Sequence, residues 1–276
     1  MVGEPSTRTA GALSPSLHRG NVVLITGGGT GIGRATALEF ARCGADIVVA
    51  GRRAEPLKDT VAEIEAMGAR ALAVPTDIRD EEQVAEMVTQ TLDRFGRIDV
   101  LVNNAGGQFS APAEDISLKG FRAVHRLAVD GSWAVTREVA VRAMIPQRSG
   151  VIFFMAFSPR RGIASFVHAT SARAALENLA SGLSLEWSKY RIRTICIAPG
   201  TIATAGMDAN YAEDARAQWA AAVPLGRLGT AEDISPTIAF LASPASSYIT
   251  GTTVVIDGGA DAWGNAQPAP QLKDDE

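Results

Sequence analysis

The sequence predicts an α/β fold in which a doubly wound, parallel sheet of seven strands forms a single domain. Three observations lead to this prediction. Short runs of strand-forming residues alternate with longer helical patterns along the whole chain. These runs are almost continuously apolar, as in strands covered on both faces, and the helical stretches are long enough for parallel crossovers. No internal repeat or long linker interrupts the alternation over 276 residues.

The expected strands are short and apolar, and they span residues 22–25, 47–50, 71–74, 98–102, 151–155, 195–198 and 254–256. The domain is expected to cover residues 20–262, because residues 1–19 and 263–276 are polar, Pro-rich or charged, which is typical of flexible tails. Segment 203–222 has no strand partner and is a candidate substrate lid, in which Tyr211 and Trp219 would contact a substrate.

Composition argues against several classes of function. The net charge of −4 provides no basic surface for nucleic acid. No apolar run approaches the roughly 20 residues of a membrane span, and no secretory signal opens the chain, so we expect a cytoplasmic protein without a membrane partner. Cys43 and Cys196 are isolated in apolar or helical stretches, which favours two small buried side chains and no metal site.

A glycine-rich run follows the first predicted strand and precedes a predicted helix at residues 34–43. Glycines allow a tight turn and close approach of a pyrophosphate, and the helix start offers unpaired N–H groups and a positive dipole end. The strand–turn–helix placement therefore predicts a Rossmann-type dinucleotide site. The expected phosphate-binding residues are Gly27, Gly29, Thr30, Gly31, Ile32 and Gly33.

The end of the second strand indicates which dinucleotide binds. No acidic residue is present there to hold a ribose 2′-hydroxyl, and Arg52 and Arg53 follow instead. Guanidinium groups suit a 2′-phosphate, which favours NADP(H), although both arginines could simply cover the next helix. After the third strand, Asp77 and Ile78 are expected at the adenine. Asp77 could equally cap the helix that begins near Asp80.

Together with Asn103-Asn104-Ala105-Gly106 and Pro199-Gly200, these motifs resemble the short-chain dehydrogenase/reductase family over residues 20–262. The resemblance implies that Asn104, Ala105 and Gly106 support the adenosine side of the cofactor. It also implies that Pro199, Gly200, Ile202 and Thr204 lie along the nicotinamide. Members with this pattern assemble as tetramers through long helices and the last strand, so a homotetramer is expected.

Further motifs narrow the resemblance to one branch of that family. They are Gly106-Gly107-Gln108-Phe109, Pro112-Ala113-Glu114, and Val167-His168 ahead of Ala172-Arg173-Ala174. They are similar to trans-2-enoyl-CoA and 2,4-dienoyl-CoA reductases. The resemblance implies an NADP(H)-dependent oxidoreductase that reduces an enoyl-CoA-like or other activated unsaturated substrate by hydride transfer.

The family's usual Asn, Ser, Tyr and Lys are absent from the expected positions. When a helix expected at residues 171–189 is taken as the anchor, those positions hold Ala128, Ala156, Ala169 and Arg173. In the usual mechanism Lys lowers the pKa of Tyr, whose phenol then protonates a carbonyl oxygen as the hydride arrives, and a methyl group cannot do this. The pKa of Arg173 is expected to be too high for proton relay. Arg173 would instead anchor the nicotinamide ribose and supply positive charge, unless it lies on the surface.

Three other side chains are candidates for the catalytic role. Ser158 could donate a hydrogen bond to an enolate oxygen, or belong to a plain turn. Asp130 could point inward and act as a base, or pair with Arg126. His168 titrates near neutral pH and adjoins the vacated Tyr position, but its ring could point away from the nicotinamide. His125 and His18, on a helix face and in a tail, are weaker candidates.

Two other functions remain open at this point. Loss of the proton-donor set also fits a catalytically idle NADP(H)-binding subunit of a hetero-oligomer. A carbonyl or alcohol oxidoreductase that uses His168 or Ser158 as a non-standard acid is the third alternative.

Overall fold

The computed structural model describes residues 13–158, 160, 162–204 and 213–263, with no side-chain detail at 213–216. Its strands form one parallel sheet in the order β3-β2-β1-β4-β5-β6-β7. They are β1 (Val22–Thr26), β2 (Asp46–Gly51), β3 (Ala71–Pro75), β4 (Val100–Asn103), β5 (Gly150–Met155), β6 (Ile192–Pro199) and β7 (Thr253–Ile256). The predicted doubly wound α/β fold is confirmed.

Helices cover the sheet on both faces. They are α1 (Gly31–Arg42), α2 (Ala54–Ala66), α3 (Glu81–Phe95), α4 (Leu118–His125), α5 (Gly131–Val139), α6 (Ile145–Gln147), α7 (Val167–Trp187), α8 (Glu213–Ala221), α9 (Ala231–Ala242) and α10 (Ala260–Trp263). Two π-helical segments, Arg126–Asp130 and Ala140–Met144, connect α4 to α5 and α5 to α6 into one long helical stretch.

Two apolar cores, one on each face of the sheet, account for the stability of this arrangement. Neighbouring side chains of β5 alternate between them, because Phe153 belongs to one core and Phe154 to the other. Both rings are fully buried, and Trp187 packs beside Phe154 in the same core. Cys43 and Cys196 are also buried and free, as the sequence predicts.

The strand order reverses direction beside β1, which pairs with β2 on one side and β4 on the other. In such sheets the turns that follow the two central strands diverge to opposite faces and leave a crevice at the carboxyl ends. The glycine-rich turn after β1 and the Asn104 turn after β4 therefore meet at this point.

Some element boundaries differ from the prediction. The strand expected at 98–102 begins at Val100. Ile98, the first residue of the predicted strand, is not paired with a neighbouring strand. The side-chain amide of Gln147 donates to its carbonyl oxygen and accepts from its N–H. The helix expected at 171–189 spans Val167–Trp187 instead, since residues Ser188–Tyr190 tighten into a 3₁₀ turn.

The prediction that residues 1–19 form a flexible tail is wrong for residues 13–19. Residues 13–19 pack on the domain, and His18 is buried. Its Nε2 lies 2.9 Å from the carbonyl oxygen of Ala239, its Nδ1 lies 3.3 Å from the amide of Asn21, and its ring contacts Phe40. These contacts anchor the segment. Residues 1–12 and 264–276, which complete the two predicted tails, lie outside the described residues.

The described residues show neither a helix able to cross a membrane nor a cluster able to hold a metal ion. None of the described helices has the length and hydrophobicity needed to cross a membrane. Within the described residues, His, Cys, Asp and Glu side chains form no group of three or more placed to hold a metal ion.

The burial of His18 predicts a pH dependence of stability. Desolvation lowers the pKa of His18 below its ordinary value of 6.5, and the hydrogen bond to Ala239 only partly opposes this. The unfolded chain therefore binds a proton that the folded chain does not, so the free energy of unfolding falls as pH decreases from about 7 towards the folded pKa. Urea denaturation at several pH values measures this slope.

The same experiment on His18→Gln separates this ring from other groups. Its amide can keep a hydrogen bond to Ala239 but has no proton to gain in this range. The slope is expected to become shallower in this variant. The pH dependence that remains comes from His168, whose pKa is also lowered by burial. An unaltered slope in the variant would contradict the prediction.

Candidate functional site

The glycine-rich turn after β1 forms a tight loop that leads directly into α1. Gly27 has a φ of +67°, a left-handed conformation that favours glycine. A Cβ at Gly33 would overlap the carbonyl oxygen of Gly27, so only glycine allows α1 to approach the turn this closely. Thr30, the N-cap residue of α1, makes no side-chain capping bond, which leaves the helix start open to an anion. This is the geometry of a phosphate cradle.

Asn104 joins this cradle to the turn after β4. Its side-chain amide donates to the carbonyl oxygens of Thr26 and Gly27 at 3.0 and 3.2 Å. The backbone N–H groups of Asn104 and Ala105 donate to the Thr26 hydroxyl at 3.1 and 3.0 Å. The two turns therefore form one unit, as their shared role at a dinucleotide requires.

A cavity of about 230 Å³ opens beside the cradle, at the carboxyl ends of β1 to β4. Many residues predicted from the sequence line it, namely Gly27, Gly29, Thr30, Arg52, Arg53, Asp77, Ile78, Asn104, Ala105 and Gly106. Residues that the sequence analysis missed also line it, namely Gly51, Pro56, Leu57, Thr76 and Leu127. Gly51 ends β2 and Thr76 directly follows β3, so the strand prediction could have found those two.

Arg52 and Arg53 are exposed at the edge of this cavity. No ion pair among the described residues includes either guanidinium group. Arg53 is also the N-cap residue of α2, where a positive charge opposes the helix dipole by about 0.3–1 kcal/mol. The dipole of α2 therefore does not favour the charge of Arg53 at this position.

Asp77 lies in the cavity but does not cap a helix. Asp80 is the N-cap residue of α3 and accepts from the N–H groups of Glu82 and Gln83. The carboxylate of Asp77 instead accepts hydrogen bonds from Nε and Nη2 of Arg79, at 2.8 and 2.5 Å. This pairing lowers the pKa of Asp77 to about 2, so the carboxylate is charged at neutral pH.

The residues expected along the nicotinamide lie at the end of β6 and in the segment that follows it. The N–H of Gly200 donates to the carbonyl oxygen of Ile256, and Ile202 bridges to Gly229 as an isolated parallel pair. A Cβ at Gly31 would lie 3.5 Å from Cγ2 of Thr204, which places Thr204 against the start of α1. Of the predicted lid, residues 205–212 with Tyr211 lie outside the described residues, and Trp219 is partly buried in α8.

Arg173 is buried, contrary to the alternative that it lies on the surface. Its Nη1 donates to the carbonyl oxygen of Met155 at 2.6 Å, and its guanidinium lies 5.1 Å from the ring centre of Phe157. A Cβ at Gly106 would overlap Nη2, so the guanidinium group directly adjoins the Asn104–Gly106 turn. No carboxylate of the described residues forms an ion pair with it.

Burial lowers the pKa of Arg173 to about 10, with Cys196 acting weakly in the opposite direction. The group therefore keeps its charge at neutral pH and does not relay protons there. A buried cation without a carboxylate is costly, which is typical of a group that awaits an electron-rich ligand.

Alanine is buried at three of the four positions where the family's tetrad is expected, and the fourth position is Arg173 itself. Phe157, whose ring faces Arg173, packs against the cluster that contains Ala128 and Ala169. Ala128 and Ala169 belong to one buried cluster with Val124 and Ala172. Ala156 is also buried. These side chains supply no proton donor and exclude water, which strengthens the field of a nearby charge.

Ser158 does not present a free hydroxyl. Its hydroxyl group donates to the carboxylate of Asp257, and its backbone N–H donates to the carbonyl oxygen of Pro199. Asp257 also accepts from the N–H groups of Gly259 and Asp261. Ser158 therefore fixes the loop after β5 to the loop after β7. Asp257 comes 99 residues later, so no local pattern could have shown this partner.

The expected inward orientation of Asp130 is wrong. The residue ends the π-helical segment Arg126–Asp130 and its side chain is exposed. The alternative ion pair with Arg126 is not present either. The π-helical turn adds a residue to the helical repeat and changes which positions face inward, which a regular helical pattern does not predict.

His168 lies in the first turn of α7 and is fully buried. Its ring packs on Phe109, with 4.3 Å between the ring centres. Burial and the nearby His125 lower the pKa of His168, partly opposed by the backbone of Phe109. His168 is therefore neutral at pH 7, and the expectation that it serves as a charged acid is not favoured.

This fold and dinucleotide cradle agree with comparisons to known proteins. Residues 27–261 match the family model described as enoyl-(acyl carrier protein) reductase. This chain belongs to the short-chain dehydrogenase/reductase family, whose members are oxidoreductases that use nicotinamide cofactors. A Bacillus subtilis relative named "Probable 2,4-dienoyl-CoA reductase" is 38% identical over 250 residues, 89% of this chain and 98% of its own length.

Solved structures agree with this family. A citronellol catabolism dehydrogenase from Pseudomonas aeruginosa matches with a TM-score of 0.81 and 38% identity over 91% of this chain and 98% of that chain. A short-chain type dehydrogenase/reductase from Mycobacterium marinum matches with a TM-score of 0.85 and 33% identity, over 89% and 97% of the two chains.

The cradle geometry predicts a strong effect of Gly33→Ala. The new methyl group would overlap the backbone of Gly27, and relieving this clash must move either α1 or the turn. Overpacking of this kind costs about 1–3 kcal/mol, so affinity for the nicotinamide cofactor is expected to fall about 10- to 100-fold. Cofactor titration by fluorescence measures the loss.

Gly182→Ala is a matched control for this substitution. Gly182 lies within α7, and a Cβ there has no neighbour within 4 Å. Replacing a helical glycine is expected to stabilise the fold by about 0.5–1 kcal/mol and to leave cofactor affinity unchanged. Equal affinities for both variants would contradict the cradle.

Proposed function

We propose that this protein is an NADP(H)-dependent reductase of 2-enoyl- or 2,4-dienoyl-CoA thioesters. The observation that carries the proposal is the buried positive charge of Arg173, which has no ion pair among the described residues and faces Phe157 beside the apolar cluster of Ala128 and Ala169. This combination stabilises developing negative charge without offering a proton to oxygen.

The choice of cofactor rests on the two exposed arginines after β2. Arg52 and Arg53 line the cavity without an ion pair among the described residues, and Arg52 acts on Asp77 only through its charge. A 2′-phosphate would give both guanidinium groups a direct anionic partner. The glycine cradle would hold the pyrophosphate at the start of α1.

The reaction type follows from what Arg173 can and cannot do. When bound, NADPH would supply the hydride needed at the carbon at the far end of the conjugated double bond. The electron pair then moves to the thioester oxygen, and one proton from water completes the reduction at carbon. Arg173 would hold the cofactor and stabilise the enolate oxygen by charge, and it would keep its own proton because its pKa is about 10.

Reduction of a ketone or oxidation of an alcohol needs a proton donor or acceptor at oxygen. The buried methyl group of Ala169 cannot serve as one, and the hydroxyl of Ser158 already donates to Asp257. These two observations favour ene reduction over the carbonyl chemistry of other family members. The 2,4-dienoyl-CoA reductase name of the Bacillus subtilis relative supports a CoA thioester.

We also propose a homotetramer. Trp133 on α5 and Leu185 on α7 are 41% and 79% exposed. Large exposed apolar side chains on long helices are typical of surfaces that bury one another in oligomers.

A substrate panel tests the proposed activity. Purified protein is expected to oxidise NADPH with 2-enoyl-CoA or 2,4-dienoyl-CoA substrates of some chain length, and to leave 3-ketoacyl-CoA and simple ketones unreduced. Cofactor titration is run in parallel. Cofactor binding without turnover of any unsaturated thioester would refute the proposal and favour the idle subunit, whereas ketone reduction would favour a carbonyl reductase.

The arginine pair predicts the cofactor preference. In the double variant Arg52→Ala/Arg53→Ala, the loss of charge-assisted hydrogen bonds of about 1.5–3 kcal/mol each raises the Kd for NADPH at least about 100-fold. The Kd for NADH is expected to change by less than about threefold, because it has no 2′-phosphate.

Arg70→Ala is the control for general loss of positive charge. Arg70 is also exposed, pairs with Asp46 and does not line the cavity. Its removal is expected to leave both dissociation constants unchanged. An equal loss of NADPH and NADH affinity in the double variant would argue against 2′-phosphate recognition.

A further inference from the structure

The three histidines of this chain differ in how their ring nitrogens are satisfied. His18 lies within hydrogen-bonding distance of Ala239 and Asn21. His125 pairs its Nε2 with the hydroxyl of Ser171 at 3.0 Å. His168 is fully buried, yet neither of its ring nitrogens reaches a described residue at the distance and angle of a hydrogen bond, although the backbone of Phe109 is near enough to raise its pKa.

This lack of partners is unfavourable for a structural residue. A buried polar group without a hydrogen bond typically costs about 1–3 kcal/mol, and an apolar ring of similar shape would avoid that cost. The residues around His168 are suited to such a ring, because Phe109 stacks on it and the buried side chains of Ala169 and Ala172 follow it on α7. The fold therefore tolerates a donor and an acceptor that it does not use itself.

Burial lowers the pKa of His168 and so favours a neutral ring, and the charge of the nearby His125 acts in the same direction. His125 lies on α4, Arg173 lies on the same helix as His168, and the Phe109 loop contributes an aromatic ring. No described carboxylate forms a hydrogen bond or ion pair with the ring. A neutral imidazole carries one N–H donor and one acceptor nitrogen, so it can polarise a carbonyl without protonating it.

We propose that a ring N–H of His168 donates a hydrogen bond to the carbonyl oxygen of the substrate thioester, which makes His168 a catalytic residue. The inference rests on the function proposed above and names a second stabilising group for the same enolate. Access to the ring requires displacement of Phe109, whose side chain is already 42% exposed. Phe109 lies in the loop that follows the Asn104–Gly106 turn of the cofactor site.

The substitution His168→Phe gives effects of opposite sign on stability and activity. Removing two unsatisfied nitrogens while keeping a ring against Phe109 is expected to raise the Tm by about 2–4 °C. Loss of a preorganised donor to an oxyanion is expected to lower kcat about 10²- to 10³-fold. NADPH affinity stays unchanged. A folded His168→Phe protein with wild-type kcat would overturn the proposal.

His168→Gln is the conservative partner of this variant. Its amide keeps an N–H donor near the position of the imidazole nitrogen, and kcat is expected to remain within about tenfold of the wild-type value. His125→Gln, which alters the neighbouring ring that bonds to Ser171, is the control and keeps wild-type kcat. A His168→Gln protein as impaired as His168→Phe would count against hydrogen-bond donation.

Nuclear magnetic resonance of the NADP-bound protein with nitrogen-labelled histidine separates this inference from the proposed function. A saturated acyl-CoA, which cannot be reduced, is expected to move the His168 N–H proton downfield while the ring stays neutral. A structural histidine would not respond, so an unchanged signal at saturating acyl-CoA overturns the inference even if the wild type reduces enoyl-CoA. Wild-type protein without turnover defeats the proposed function, whatever the His168 signal does.

Discussion

The candidate site depends on the close contact between the turns that follow β1 and β4. The side-chain amide of Asn104 donates to the carbonyl oxygens of Thr26 and Gly27, and the Thr26 hydroxyl accepts from the N–H groups of the opposite turn. This contact forms where the two central strands send their chains to opposite faces of the sheet. It holds the glycine cradle, the second and third strand ends and the Arg173 region around a single crevice.

A second constraint is the burial of charge beside this crevice. Removing a guanidinium group from water costs several kcal/mol unless hydrogen bonds and nearby charges compensate. Arg173 has one carbonyl partner and the face of Phe157, but no carboxylate among the described residues. The two hydrophobic cores stabilise the fold enough to tolerate this charge, which is in place before any ligand arrives. Such preorganisation is what electrostatic catalysis requires.

Under the proposed function, the alanines at the family's usual tetrad positions would shift the chemistry of the site away from protonation of a carbonyl. In a low-dielectric environment, a fixed cation acts more strongly on an oxygen atom than it would in water. Arg173 and the ring of His168 are both buried, whereas the hydroxyl of Ser158 is committed to Asp257. In the proposed reaction, this arrangement would favour stabilisation of an enolate.

The parallel sheet, the glycine cradle and the arginine pair after β2 could be predicted from the amino-acid sequence, because each depends on local composition or on spacing along one strand–turn–helix unit. The directions in which the candidate catalytic side chains point could not, because they depend on packing between distant segments. A π-helical turn leaves Asp130 exposed, Ser158 meets a partner 99 residues away, and His18 packs on Ala239 across the domain. The unsatisfied nitrogens of His168 are likewise a property of its surroundings and not of its neighbours in the chain. Hydrogen-bond partners and burial are set by long-range packing, which no periodic pattern of residues contains.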